Sequence, residues 1–318
     1  MRPGLPGWSI RRRLDVLHVE AAAGLCVRDS TTAGPVGSPG HYTRAATMPR
    51  RMRSVPTVEG ARLDPAVPSA ARIYDYLLGG KDNFAVDRDA ADRLLAVVPD
   101  QRRLARANRA FALRAVRFLA GHGVRQVIDL GTGMPTAPSV HEVLHAVHPA
   151  GRVVYVDRDP LVKVHNDALL ATSEQVTSLE GDIRRPGEIL DRIRDAGLVD
   201  FAEPVIVLLA AVLHLVSDAD DPAGIVAAFA EPLVPGSHLV ISQFAAHSDP
   251  DAMAQLRSIA DGTAVQTYFR SRDEIEGLFG GFEVLPPGVV DVDHWRPDEP
   301  AQPTRLKISG GVGRKTVR

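Results

Sequence analysis

The sequence has a single cysteine, Cys26, among 318 residues, so it can form no internal disulfide, which suits a reducing cytoplasm without requiring one. It has no run of about 18 apolar residues, the length a membrane-spanning helix needs. Lysine is scarce: Lys81, Lys163, Lys307 and Lys315 stand alone beside many arginines, a bias we read as GC-rich coding. Charge of one sign is also missing, since 37 Lys+Arg against 39 Asp+Glu leave a net −2. That balance gives no general attraction to nucleic acid or anionic lipid. What remains is a globular chain of 45% hydrophobic residues, enough for the core of one large α/β domain or two small ones, and suited to small-molecule chemistry.

Residues 1–60 carry Pro, Gly, Ser and Arg without a sustained period and read as a disordered leader. Arg11-Arg12-Arg13 ahead of Leu14 has the outline of a secretory signal, but Asp15, His18 and Glu20 break its apolar core. Met48 and Met52 lie just before the first patterned sequence, as a start assigned too early would leave them.

Residues 61–123 read as an N-terminal helical cap, with Ile73, Leu77 and Leu78 on one face of a first helix. Leu104, Phe111, Ala115, Phe118 and Leu119 share one face of a later helix. Between them, Gly79-Gly80 ends a helix and Lys81-Asp82-Asn83-Phe84 follows, either a plain cap and turn or a lid over a ligand. The lid reading makes Tyr76 a ligand neighbour. The arginines at 102, 103, 106, 109, 114 and 117 read as a solvated helix face.

From 124 to 318, apolar strands alternate with helical stretches, which calls for a mostly parallel sheet covered on both sides. The strands are Gln126 to Leu130, Arg152 to Asp157, Val176 to Glu180, Pro204 to Ala210 and Ser237 to Gln243. A helix around Arg272 to Phe279 precedes Phe282 to Leu285 and Val289 to Val292, which Pro286-Pro287-Gly288 should fold into an antiparallel hairpin at the sheet edge.

The chain is organised around Val127-Ile128-Asp129-Leu130-Gly131-Thr132-Gly133-Met134-Pro135-Thr136, a strand running into a glycine turn and a helix. Gly131 and Gly133 let backbone turn sharply and approach a ligand closely. In a doubly wound sheet, ligands sit beyond the carboxyl ends of the strands. Three aspartates fall there: Asp129, Asp157 with Arg158 after it, and Asp182 with Ile183 after it. A carboxylate at the second strand can take both ribose hydroxyls of a nucleoside. Asp182 can take an adenine amino group while Ile183 covers the ring, or can simply cap the next helix.

Asp129-Leu130-Gly131-Thr132-Gly133, Asp157 and Gly181-Asp182 resemble the three cofactor motifs of class I, Rossmann-like S-adenosylmethionine-dependent methyltransferases. Val212 to Val216 and Pro235 to Ile241 are similar to the fourth- and fifth-strand signatures of that superfamily. Ala71 to Phe84, Asn108-Arg109-Ala110-Phe111, Val154 to Asp157 and Trp295-Arg296-Pro297 resemble, more closely, a bacterial S-adenosyl methyltransferase family of unassigned substrate. The likeness runs from about residue 65 to the end. Pro135 departs from the third glycine of many class I enzymes. The resemblance implies an α/β Rossmann-like doubly wound sheet with strand order 3-2-1-4-5-7-6 and the last strand antiparallel. It also implies S-adenosylmethionine as cofactor and a small-molecule acceptor.

If that acceptor is a hydroxyl or protonated amine, a base helps, and His214 beyond the fourth strand is the first candidate, ahead of Tyr268 and His247. His141-Glu142-Val143-Leu144-His145 matches a zinc-protease pattern, but it falls on the helix after the glycine turn and no third ligand is placed by spacing; no metal is expected. Two rivals remain: a non-catalytic S-adenosylmethionine-binding protein, and an NAD-dependent oxidoreductase, whose fingerprint wants a third glycine where Thr136 stands.

Overall fold

The computed structural model describes residues 64–171, 173–260 and 265–317; the leader and the later starts lie outside them. Three helices come first, α1 (Ala70–Leu78), α2 (Ala85–Val97) and α3 (Gln101–Gly121). Strands and helices then alternate: β1 (Gln126–Leu130), α4 (Val140–His145), β2 (Arg152–Asp157), α5 (Pro160–Leu169), β3 (Val176–Glu180), α6 (Pro186–Asp195), β4 (Ile206–Ala210), α7 (Pro222–Ala230) and β5 (His238–Phe244). After them come α8 (Pro250–Ala260), α9 (Arg272–Gly277), β6 (Glu283–Val284), β7 (Val290–Asp291) and β8 (Ile308–Arg314). Among the described residues no helix is long and apolar enough to cross a membrane.

The sheet order is β3-β2-β1-β4-β5-β8-β6, with β7 also on β8. The first five strands are parallel and β8 runs antiparallel to β5. Alternation of side chains divides each central strand between two cores. Val127, Val153, Tyr155 and Leu208 face the layer built on α1–α4 and α8. Ile128, Val154, Val156 and Leu209 face the layer of α6, α7 and α9.

The predicted hairpin does not form. β6 and β7 do not pair with each other; both pair with β8, Val284 opposite Gly313 and Val290 opposite Gly310. The missing strand was Ile308–Arg314, whose glycines mask its β character. Those glycines are required by crowding, because a Cβ on Gly310 would lie 2.8 Å from Ile241 O and one on Gly313 2.7 Å from the Phe279 ring.

The cap helices belong to the same compact unit, Pro56–Arg318, as the sheet. Buried polar bonds pin them above β2: Ser69 N donates to Asp87 Oδ1 at 2.9 Å and Ser69 Oγ to Asp159 Oδ2 at 2.6 Å. The Arg72 guanidinium lies 3.5 Å from both aspartates. The glycine pair after α1 is a tied turn, since Asp75 Oδ2 accepts from Asp82 N at 3.0 Å and from Asn83 Nδ2 at 2.8 Å.

Candidate active site

At the end of β1 the backbone takes φ 72 at Gly131 and φ 68 at Gly133, left-handed angles that cost an L residue about 1–2 kcal/mol. Gly131 has a second constraint: a Cβ there would sit 2.4 Å from Val212 Cγ2, in the loop after β4. A Cβ on Gly133 would meet nothing within 4 Å, so the turn presents bare backbone to open space. Gly131 N and Thr132 N donate to Val156 O at 2.8 and 3.1 Å, fastening the turn to the end of β2.

Asp157 closes the turn from the other side. Its Oδ2 accepts from Gly133 N and its Oδ1 from Asp159 N, each at 2.9 Å. One lone pair on each oxygen is thereby fixed, and a second on each can accept from a ligand. Burial pushes its pKa up. Asp129 is 4% exposed, and burial lifts its carboxyl to about 6 against the pull of the Arg109 charge. Thr132 Oγ1 donates to Asp129 Oδ2 at 3.0 Å. Burial would raise Asp182 as well, but hydrogen bonds and charge from Arg184 outweigh it and hold that carboxyl low. Arg184 N and Nε both reach Asp182 Oδ1 at 3.0 Å.

Of the residues singled out from sequence, Asp129, Gly131, Thr132, Gly133, Asp157, Arg158, Asp182, Ile183 and His214 all line one cavity of about 260 Å³. Tyr76 does not. Its hydroxyl donates to Asp92 Oδ1 at 3.0 Å and Arg102 lies over its ring at 4.7 Å. Tyr74 lines the cavity instead, with Ile73 and Leu77, because residues two apart on a helix point to different faces.

His214 sits in a short 3-10 turn, Leu213–Leu215, entered through Ala211 at φ 57. Burial, then the charge of Arg270, depresses its pKa to about 3, so the ring is neutral. Its Nδ1 is buried with no hydrogen-bond partner among the described residues. Arg270, 5% exposed, clamps this turn: it donates to Leu213 O, Val216 O and Gln243 Oε1, each at 2.9 Å, and to Asp218 Oδ1 at 2.8 Å. Tyr268 contributes its backbone N–H to His214 O at 2.8 Å, but its side chain lines a smaller neighbouring cavity. His247 is bound to Asp291, 2.8 Å away, and does not line the main cavity.

Two sets of polar groups on α3, its arginines and its amides, were not placed at the site by the sequence. The arginines of α3 are not uniformly solvated: Arg109 lines the cavity and donates to Thr136 O at 3.0 Å and Pro138 O at 2.9 Å, while Arg114 donates to Val292 O at 2.7 Å. Gln101, Ala105, Asn108 and Ala112 form the cavity wall along the same helix. Two buried amides at seven-residue spacing were the available signal. The zinc-like triplet is occupied otherwise: Glu142 closes a capping box on Ser139, His141 Nδ1 lies 3.0 Å from the Tyr155 hydroxyl, and His145 Nε2 lies 2.8 Å from Gly151 O.

A family model described as S-adenosyl methyltransferase matches residues 56–316. Among solved structures, a candidate methyltransferase from Thermobifida fusca YX is 39% identical with a TM-score of 0.74, over 79% of this chain and 96% of that one. A DUF574 family protein from Streptomyces avermitilis MA-4680 is 36% identical with a TM-score of 0.76, over 80% of this chain and 100% of that one. No curated protein matches.

Proposed function

Because this chain belongs to the S-adenosyl methyltransferase family, we propose that it binds S-adenosylmethionine in the cavity described above and transfers the methyl group to a small-molecule acceptor. The observation that carries the reading is the meeting of Asp129, Asp157 and Asp182 with the Gly131–Gly133 turn in one cavity. The donor set suits the cofactor: lone pairs of Asp157 for the ribose hydroxyls, Ile183 against the base with Asp182 at its amino group, and Asp129 for the ammonium. Arg109 offers a cation to the carboxylate of the same amino-acid tail. When bound, the cofactor supplies a methyl group on a sulfonium sulfur.

The residues of this chain then have three tasks: to orient the acceptor, to exclude water and to receive a proton. His214 is the proton acceptor in this scheme, but its order of action is constrained. A phenol-like hydroxyl titrates near 10 and the buried imidazole at about 3, so deprotonation ahead of transfer is uphill by about 10 kcal/mol. The proton therefore moves as, or after, the new bond to the methyl carbon forms, when the acceptor atom has become far more acidic. Calorimetry with S-adenosylmethionine, S-adenosylhomocysteine and NAD tests the cofactor, and label from the methyl group appearing in a product tests transfer. Heat with NAD alone would overturn the reading; tight cofactor binding with no labelled product in host extract would favour a sensor.

A further inference from the structure

The cavity has two ends of different chemistry. Among the described residues, four aspartates line it, Asp129, Asp157, Asp159 and Asp182, all at the carboxyl ends of strands, and no lysine does. The helical end is walled by Ile73, Leu77, Leu94, Ala105, Leu256 and Ile259, from α1, α2, α3 and α8. The polar side chains of that wall are largely spent on each other. Tyr74 donates to Ala105 O at 2.9 Å and accepts from Asn108 Nδ2 at 3.0 Å, while Asn108 Oδ1 accepts from Ser242 Oγ at 2.6 Å. Among the described residues that line the cavity, two uncharged groups keep an unpartnered buried atom, Gln101, 5% exposed, at Oε1, and His214, 7% exposed, at Nδ1; the third is Arg109 at Nε, the cation assigned to the cofactor's carboxylate. The cation on α2, Arg93, is exposed. The His214 ring leans on Phe244 at 4.6 Å between centroids; both line the cavity and offer an aromatic face to a flat ring, while Phe269 backs Phe244 at 5.4 Å.

We propose, on the reading that this site transfers methyl groups, that the acceptor is an uncharged, mainly apolar ring compound whose hydroxyl oxygen is methylated against His214. With Arg109 given to the cofactor's carboxylate and Arg93 exposed to solvent, a charged group buried at the helical end finds no further buried counter-ion among the described residues and keeps most of its desolvation cost. A neutral hydroxyl meets acceptors that lack donors. The seven helical steps of α3 from Gln101 to Asn108 span roughly 10 Å, the length of about two fused rings. In the transfer a lone pair of the hydroxyl oxygen forms the bond to the methyl carbon, the carbon–sulfur pair stays on sulfur, and the hydroxyl proton passes to the imidazole.

The test uses full-length protein saturated with S-adenosylhomocysteine, titrated with naphthol and with naphthoate, and a parallel transfer assay with methyl-labelled S-adenosylmethionine. Naphthol binds and is labelled on oxygen; naphthoate binds more than about tenfold more weakly. Ile259→Trp and Ile73→Trp, both half-buried positions facing the apolar end, each block naphthol while leaving the affinity for S-adenosylhomocysteine unchanged. Naphthoate binding as tightly as naphthol, naphthol failing to bind the saturated protein, or naphthol binding undisturbed by both fillings overturns the acceptor class. Failure of S-adenosylhomocysteine itself to bind sinks the cofactor reading instead.

Discussion

Asp157→Asn removes one negative charge and one acceptor oxygen at nearly constant shape. The wild-type carboxylate presents an oxygen to each of two backbone donors, Gly133 N and Asp159 N, both at 2.9 Å. Asparagine has one oxygen, so one donor must face the amide NH₂, and the side chain turns or the Gly133 loop shifts. Each hydrogen bond from a ribose hydroxyl to the carboxylate is worth about 1.5–3 kcal/mol. Loss of one such bond and the weakening of the other sum to about 3–4 kcal/mol, a fall in affinity of roughly 10²- to 10³-fold. Stability should move far less, because burial already raises this carboxyl's pKa. Removing the charge relieves that desolvation while it weakens a backbone bond. Titration calorimetry with S-adenosylhomocysteine reads the affinity, and a thermal melt of the ligand-free protein reads the stability. Asp182→Asn is the internal comparison: Arg184 already engages that carboxylate, so its loss should cost only about tenfold. A folded Asp157→Asn protein with wild-type affinity would refute the ribose assignment.

Other perturbations follow from the same geometry. Gly131→Ala forces a Cβ to 2.4 Å from Val212 in a left-handed conformation, a cost of about 2–4 kcal/mol; adding Val212→Ala should return only the packing part of the lost melting temperature. Arg270→Met leaves the Val216 carbonyl without its donor and takes one of two donors from Leu213 O, which still accepts from Val216 N at 3.1 Å, a cost of about 1–3 kcal/mol. Turnover should fall more than cofactor affinity; equal loss of both would show that the clamp does not act through His214. Stability should also depend on pH through two opposed groups. His214 is depressed to about 3, so the unfolded chain takes its proton first, and stability present above about 6.5 is lost as pH falls, by about 2 kcal/mol at pH 5. Asp129 is raised to about 6, so its contribution is complete below about 3.8 and is lost as pH rises through 6, by about 3 kcal/mol. Denaturant midpoints against pH for His214→Phe and Asp129→Asn separate the two slopes; unchanged slopes in either variant would show that residue to titrate as it does in the unfolded chain.

The parallel part of the sheet was readable because apolar runs such as Val153-Val154-Tyr155-Val156 can be satisfied only between two helical layers. The glycine turn and the aspartates at strand ends were readable for a related reason: the next strand or helix must begin within a few residues, which places these side chains at one edge. The distal part failed where local and tertiary demands disagree. Gly310, Gly311 and Gly313 carry no β signal, yet β8 needs them because Ile241, Phe111 and Phe279 press on its backbone. The lid reading points to Tyr76 while the cavity is lined by Tyr74, because a turn signal says that a helix ends but not which face it buries.

From residue order alone came a mostly parallel sheet covered on both sides, the bend at Gly131 to Gly133, and the three carboxylates that gather there, since continuous apolar runs and a glycine turn are local properties; the Rossmann-like strand order came from the family resemblance. Folding in three dimensions decided the rest: that Asp182 is held by Arg184, that Arg109 and Gln101 on α3 face the cavity, and that Arg270, some fifty-seven residues beyond Leu213, locks the turn of a neutral His214. Those contacts join segments far apart in the chain, and their selection rests on which polar groups remain unpaired once the helices close over the sheet.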